Sequence, residues 1–347
     1  NGTNSKTVMV LDANSRISLS NNDSGTSNTT FGKLAGAALA SGGNYNVLVG
    51  EDAGNDLTTG ERNVVVGFGA LDRGTTESDD NIAIGWEALH GNHTIAAVND
   101  CVAVGSQAIG TGTLTAAASG SVGIGHNALK VLTSGAGNTA VGYNALAAET
   151  DGIGSVAVGY EALLTLTGIG GTAGNVAIGY RAGKLLATGT GNIMLGYGAM
   201  DAADGSETNM IAIGYNALGN MNNNSSASNI AIGAGAGDGI GTIAATNNIF
   251  VGVDAGGGIW TGATSTHNVG IGNSVMDAAM DGALGNIALG AHALGSLTSG
   301  DNNIAIGTYD GTLPAALQSN QAGSFCVAIG IGALANANEN DNDGTVA

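Results

Sequence analysis

Residues able to do chemistry are few and scattered. Among 347 residues there are five histidines, two cysteines, 8 Lys plus Arg and 27 Asp plus Glu. Only two histidines, His90 and His93, lie close together, in a stretch of loop composition. Cys101 and Cys326 are too few for a disulfide framework. No Ser/His/Asp or Cys/His constellation recurs, and a nucleophile without a placed base is not a site. The expectation is no enzyme, no cofactor and no metal centre. Calcium-binding repeats need Asp at fixed offsets in Gly-rich turns. Here Asp is scattered, so Asn99-Asp100 and Asn340-Asp341-Asn342-Asp343 read as solvated turns. The strongest candidate is a column of aromatics, each directly after a recurring glycine: Phe68, Trp86, Tyr143, Tyr160, Tyr180, Tyr197 and Tyr215. Such a column has two readings. It is a sugar-stacking ladder for host glycans, or a packing column covering a corner of the fold, since Tyr and Trp pair an apolar body with a polar tip. Packing is the expectation, and the ladder is kept beside it.

Composition narrows the partners. The net charge of −19 leaves no basic footprint for nucleic acid and little attraction to anionic lipid. No run approaches 18 apolar residues, so no membrane insertion is expected. The opening Asn1-Gly2-Thr3-Asn4-Ser5-Lys6 has no Met and no apolar signal region, and reads as a processed or partial product. Apolar residues make up 43% and charged residues 10% of the chain, which argues against disorder. The 62 glycines argue against long helices.

What must position the aromatic column is a repeat. Seventeen glycines end a short apolar run: 32, 50, 67, 85, 105, 125, 142, 159, 179, 196, 214, 233, 252, 272, 290, 307 and 330. Counting from each glycine, position −1 is always apolar and −3 is Val or Ile in 15 of 17 copies. Position −2 is most often Ala, −4 is Asn in 12 copies, and +3 is Ala in 15. Alternating β-branched residues predict a short strand with the −3 and −1 side chains buried. The small −2 side chain is then expected to face outward, toward a close second chain. Glycine permits a turn at positive φ or a close backbone approach. The spacing never sustains a helical period. A unit this short cannot close its own core, so copies must stack as a parallel β-solenoid. The Asn column then becomes a ladder of stacked amides: Asn63, Asn81, Asn138, Asn175, Asn192, Asn229, Asn248, Asn268, Asn286 and Asn303. At about 4.8 Å per rung the rod is about 80 Å long.

Cys101 and Cys326 fall in the same column, far apart along the stack. They read as small buried substitutes for Asn, and a cluster about a threefold axis is the sharper alternative. Gly233-Ala234-Gly235-Ala236-Gly237 belongs to the repeat and is not a nucleotide loop. Thr residues sit in loops of variable length, so an ice-binding lattice is a remote reading, as is a carbohydrate-active enzyme.

The repeat Asn-Ile-Ala-Ile-Gly-Tyr-x-Ala-Leu resembles the head repeats of YadA-type trimeric autotransporter adhesins. It also resembles the repeat region of bacteriophage tail-fibre proteins, which the opening from Arg16 to Gly32 resembles more closely. The resemblance covers residues 28 to about 334. It implies a left-handed, homotrimeric rod at an extracellular or virion surface, contacting a host cell-surface glycan or protein. The expected organisation is a lead-in over 1–27, the solenoid over 28–334 and an acidic tail or linker over 335–347. The expected function is a phage fibre shaft or head. The alternative is a bacterial surface adhesin or an extracellular filament subunit.

Overall fold

The computed structural model describes residues 25–73, 77–91, 97–168, 170–336 and 344–347. Each repeat is one coil of a parallel β-solenoid. Its strand is three residues long, from Thr29–Phe31 through Ile82–Ile84 to Val327–Ile329, and seventeen of these form one parallel sheet. Register is strict: Ile82, Ala83 and Ile84 pair with Val102, Ala103 and Val104. The same columns pair at every rung, so each repeat lays the same chemistry on its neighbour. Val346 pairs in parallel with Val327, so the last residues continue the ladder past the final three-residue strand. Most of the lead-in, and the tail over 337–343, lie outside the described residues.

The strand faces the opposite way from the expectation. The central residue is the buried one: Leu48, Val65, Ala83, Ala103, Ala177 and Phe250 have no exposed surface. The flanking β-branched residues point outward, with Ile82 and Ile84 each 37% exposed and Ile271 44% exposed. The reason is the thinness of the coil. The central side chain shares the inner face with the −4 Asn and meets the Ala-Leu segment of the opposite wall. A Cβ built on the central Gly123 would lie 3.0 Å from Ile109 Cγ1 and 3.2 Å from the Ala128 carbonyl oxygen. The residue is small because the interior is narrow.

Volume is traded inside each coil. Position +4 adopts left-handed backbone even where it is Leu, as at Leu89 (φ 51°), Leu129 (φ 52°) and Leu163 (φ 50°). That conformation costs about 1–2 kcal/mol, and full burial of the side chain returns about 1.5–3 kcal/mol. Where +4 is glycine, a large side chain from the same or a neighbouring coil fills the space, such as Met194 at Gly183 and Leu218 at Gly237. Leu48 packs where a Cβ on Gly54 would stand, and Phe250 does the same at Gly256. The column glycines have φ between 124° and 143°, Gly307 excepted. Each but the last, Gly330, places its Cα hydrogens against the carbonyl of the next column glycine, so both roles expected of glycine operate together. A second left-handed residue precedes each inward Asn, for example Asp80 (φ 59°) before Asn81 and His267 (φ 59°) before Asn268.

A buried carboxylate interrupts the leucine column. Leu132, Glu149 and Leu166 are equivalent residues of successive coils, each donating its N–H to the residue three before it. Glu149 is fully buried in this leucine column. Its Oε1 accepts from Gly152 N–H at 2.7 Å and Asp151 N–H at 3.1 Å, while Oε2 has no partner. Burial pushes its carboxyl above the ordinary range, against the pull of those N–H groups. A raised folded-state value means that its contribution holds below the unfolded value near 4.5 and is lost as pH rises through the folded one. Glu149→Leu should therefore stabilise the rod by about 1–4 kcal/mol at pH 7.5. It should change stability much less at pH 4. Urea melts at the two pH values check this; equal effects at both would assign the gain to packing alone.

Candidate functional site

Three linear features follow the rod: the inward Asn column and the outward apolar columns along its whole length, and the aromatic column from Phe68 to Tyr215. Each is built by the same rule, because in-register stacking turns one position of the repeat into a row.

The aromatic column begins where the column glycine turns the chain out of the sheet. Tyr143, Tyr160, Tyr180, Tyr197 and Tyr215 form a continuous stack with centroid spacings of 4.9–5.2 Å and interplanar angles of 8–12°. His126 extends it, 5.2 Å from Tyr143 at 11°. Within the stack each ring face is covered by a neighbour, and what reaches solvent is ring edges and phenol hydroxyls. A sugar needs a free ring face, so the five tyrosines are arranged as a packing column. Free faces remain only at ends and interruptions. Phe68 and Trp86 occupy the same column and are about half exposed. His126 was missed among the aromatics, although its place directly after Gly125 marks it. Charged side chains brace the middle of the stack. Arg181 lies over the Tyr180 ring at 5.0 Å, and Arg181 and Lys184 each contact Glu161 at 3.1 Å. Burial raises the Glu161 carboxyl, but the two cations outweigh it and hold it below the ordinary range. At this exposure such pairs contribute about 0–1 kcal/mol.

The inward column is a hydrogen-bonded ladder. All ten asparagines named from the sequence are fully buried. Asn268 shows the pattern: its N–H donates to Asn248 Oδ1 at 3.0 Å, and its Nδ2 donates to the same oxygen at 3.1 Å and to the Ala283 carbonyl at 2.9 Å. Its own Oδ1 accepts from Asn286 N–H and Nδ2 at 3.1 and 3.0 Å. Each amide thus joins three coils. Substitutes keep part of the pattern. Cys101 N–H donates to Asn81 Oδ1 at 3.0 Å, and its thiol reaches the Ala118 carbonyl at 3.6 Å. Ser121 Oγ donates to the Gly135 carbonyl at 3.2 Å. Met210 sulfur accepts from Asn229 N–H at 3.3 Å. Both cysteines are buried, and burial pushes the Cys101 thiol up to about 11, which suppresses its reactivity. The ladder is scaffold.

The outward columns form an apolar strip. Ile178, Ile193, Leu195, Ile232, Ile287 and Ile306 expose about two fifths of their surface along one face of the sheet. Over seventeen rungs the strip is about 80 Å long and about 10 Å wide, so its area is about 800 Å². A typical monomer carries a patch of about 300–600 Å² at most.

The remaining candidates do not converge. His90 Nε2 lies 3.8 Å from Asp72 Oδ2 across one rung, and His93 lies outside the described residues. Among the described residues no three His, Cys, Asp or Glu side chains gather as a metal site. Asn99 Oδ1 accepts from Asp79 N–H at 2.8 Å, a loop bond between coils. Asn340–Asp343 lies outside the described residues. A shallow polar hollow is lined by Asp204, Asn222, Asn223, Asn224, Ser225 and Thr242. Asn223 in its wall is satisfied internally, by Thr242 O at 2.7 Å and Ser225 N–H at 2.9 Å. No helix among the described residues is long and apolar enough to cross a membrane. Compared with known proteins, the chain matches no family model and no curated sequence.

Proposed function

We propose that this chain is a structural and adhesive fibre subunit, a rod whose copies associate side by side through the apolar sheet face as a homotrimer. The observation that carries this reading is the strip of Val, Ile and Leu on the sheet, interrupted by Thr29 and Thr139 at position −3 and by Phe31 at −1. Its area of about 800 Å² per chain equals one side of a standard protein interface. Its columns repeat at every rung, so any copy that meets it can bury all of it at one registration. A rod of this length gives reach, and three copies give avidity for weak surface ligands. Repeats of this form resemble phage tail fibres and YadA-type adhesin heads. A phage fibre shaft or head contacting a host cell is the first reading, with a left-handed coil path. A bacterial surface adhesin or extracellular filament subunit is the second.

Sedimentation equilibrium tests the association. The wild type should sediment as a trimer of the 33.5 kDa chain. Ile178→Asp with Ile193→Asp should shift it to monomer while its far-ultraviolet spectrum is retained, since both side chains point outward. A wild-type monomer that unfolds cooperatively would sink the reading.

A further inference from the structure

The aromatic column is interrupted once between its N-terminal members and the stack. Trp86, Ser106 and His126 follow the column glycines 85, 105 and 125 on three successive rungs. Backbone bonds fix their alignment. Gln107 N–H donates to the Trp86 carbonyl at 2.8 Å, Asn127 N–H to the Ser106 carbonyl at 3.0 Å, and Asn144 N–H to the His126 carbonyl at 3.0 Å. The three side chains therefore leave the coil one above another. Beyond His126 every rung as far as Tyr215 carries a ring, at 4.9–5.2 Å spacing. Ser106 has no ring, so Trp86 and His126 stand two rungs apart, about 10 Å along the axis. The intact stack spends about 5 Å per ring, and the gap over Ser106 has the thickness of one.

We propose that this gap binds one pyranose ring of a neutral glycan, held between Trp86 and His126 with Ser106 as its floor. Trp86 and His126 are exposed, and the rung between them carries Ser106 in place of a ring. Inside the tyrosine stack such faces are covered. The adjoining column supplies polar partners of the right kind. Glu87 accepts from Gln107 Nε2 at 3.0 Å and keeps further lone pairs. Asn127 donates its Nδ2 to Asn144 Oδ1 at 3.0 Å, while its own Oδ1 is buried without a partner. Carboxylate and amide oxygens call for donors, which sugar hydroxyls supply. An apolar aromatic ring would leave them unpaired, and an anionic ring would face Glu87 and a chain of net charge −19. A single sandwiched ring binds weakly, with Kd on the order of 1 mM, and several chains side by side would convert that into useful avidity.

The test uses the full chain and four probes: the methyl glycosides of glucose, galactose, mannose and N-acetylglucosamine, with indole as the aromatic comparator. Tryptophan fluorescence and saturation-transfer NMR read binding. Trp260, the other tryptophan, is buried against Phe250, so a ligand-dependent change reports Trp86. At least one glycoside should bind. Trp86→Ala and Ser106→Tyr should each weaken it at least tenfold, and Tyr215→Ala should leave it unchanged. Ser106→Tyr is the decisive variant, because tyrosine already fills this position at five rungs, and its thermal melt should match or exceed the wild type. No glycoside binding, binding of indole alone, or equal sugar binding by Ser106→Tyr overturns the proposal. It rests on the adhesive reading, and the two fail separately. If wild type and Ser106→Tyr adhere equally to cells, the sugar site falls and the adhesive reading stands.

Discussion

Gly159→Ala should destabilise the rod by about 3–5 kcal/mol, enough to uncouple its two halves. Two costs add at this position. Gly159 has φ 140°, where an L side chain is strained by about 1–3 kcal/mol. A methyl there would also lie 2.7 Å from the Gly179 carbonyl carbon and overlap its oxygen. That neighbour is backbone, held by Gly179 N–H donating to the Val158 carbonyl at 2.8 Å, so it cannot step aside without breaking the sheet. The coil must open locally, and further overpacking cost of about 1–3 kcal/mol follows. Because each coil touches mainly its neighbours, the break should appear as two unfolding phases in urea, one for each side of the substitution. Gly330→Ala separates the two costs. Its φ is 126° but a methyl there meets nothing within 4 Å. It should lose only the conformational term, about 1–3 kcal/mol. Equal losses at Gly159 and Gly330 would remove the close backbone approach from the explanation.

Asn268→Leu should cost about 3–5 kcal/mol for a different reason. The side chain fits the space, but it cannot hydrogen-bond. Asn286 would lose the acceptor for its N–H and one acceptor for its Nδ2, and the Ala283 carbonyl would keep only the Thr266 N–H. Asn268, Asn286 and Ala283 are all fully buried, so water cannot replace those partners. Each orphaned group costs about 1–3 kcal/mol. Asn268→Ser should cost less, since Ser121 at the equivalent position still donates to the Gly135 carbonyl. Asn268→Asp should be as damaging as leucine at neutral pH. Its carboxylate would face Asn248 Oδ1 and the Ala283 carbonyl, both acceptors. Protonation restores one donor, so stability should recover as pH falls. Urea melts of the three variants at pH 4 and 7.5 check the order, and a serine variant as unstable as leucine would deny the ladder its hydrogen-bonding role.

The repeat, the stacking and the composition of each row were legible in the residues. Glycine at a fixed place, asparagine four before it and Ala-Leu after it describe one unit too small to fold alone, and the only way to satisfy such a unit is to lay it on its copy. The asparagine ladder also followed, since a repeated amide is stable only where another amide answers it, but not its inward direction, because position −4 lies on the same face as −2. Which face of the strand is buried did not follow. A period of two is the same for either face, and β-branched residues suit a sheet whether they point in or out. Smallness at Ala83 or Ala103 was compatible with a tight external partner or a thin interior. Only the position of the opposite wall decides between them, and that wall, residues such as Ile109 and Ala128, is built by a different part of the repeat. The sugar-stacking reading of the tyrosines turned on the same kind of fact. Sequence places Tyr143 and Tyr160 in one column; the rung spacing covers their faces with each other. It leaves open faces at the ends of the stack and beside the short side chain of Ser106, and it turns Ile82, Ile84 and their equivalents from expected core into the surface through which the rod is proposed to meet its own copies.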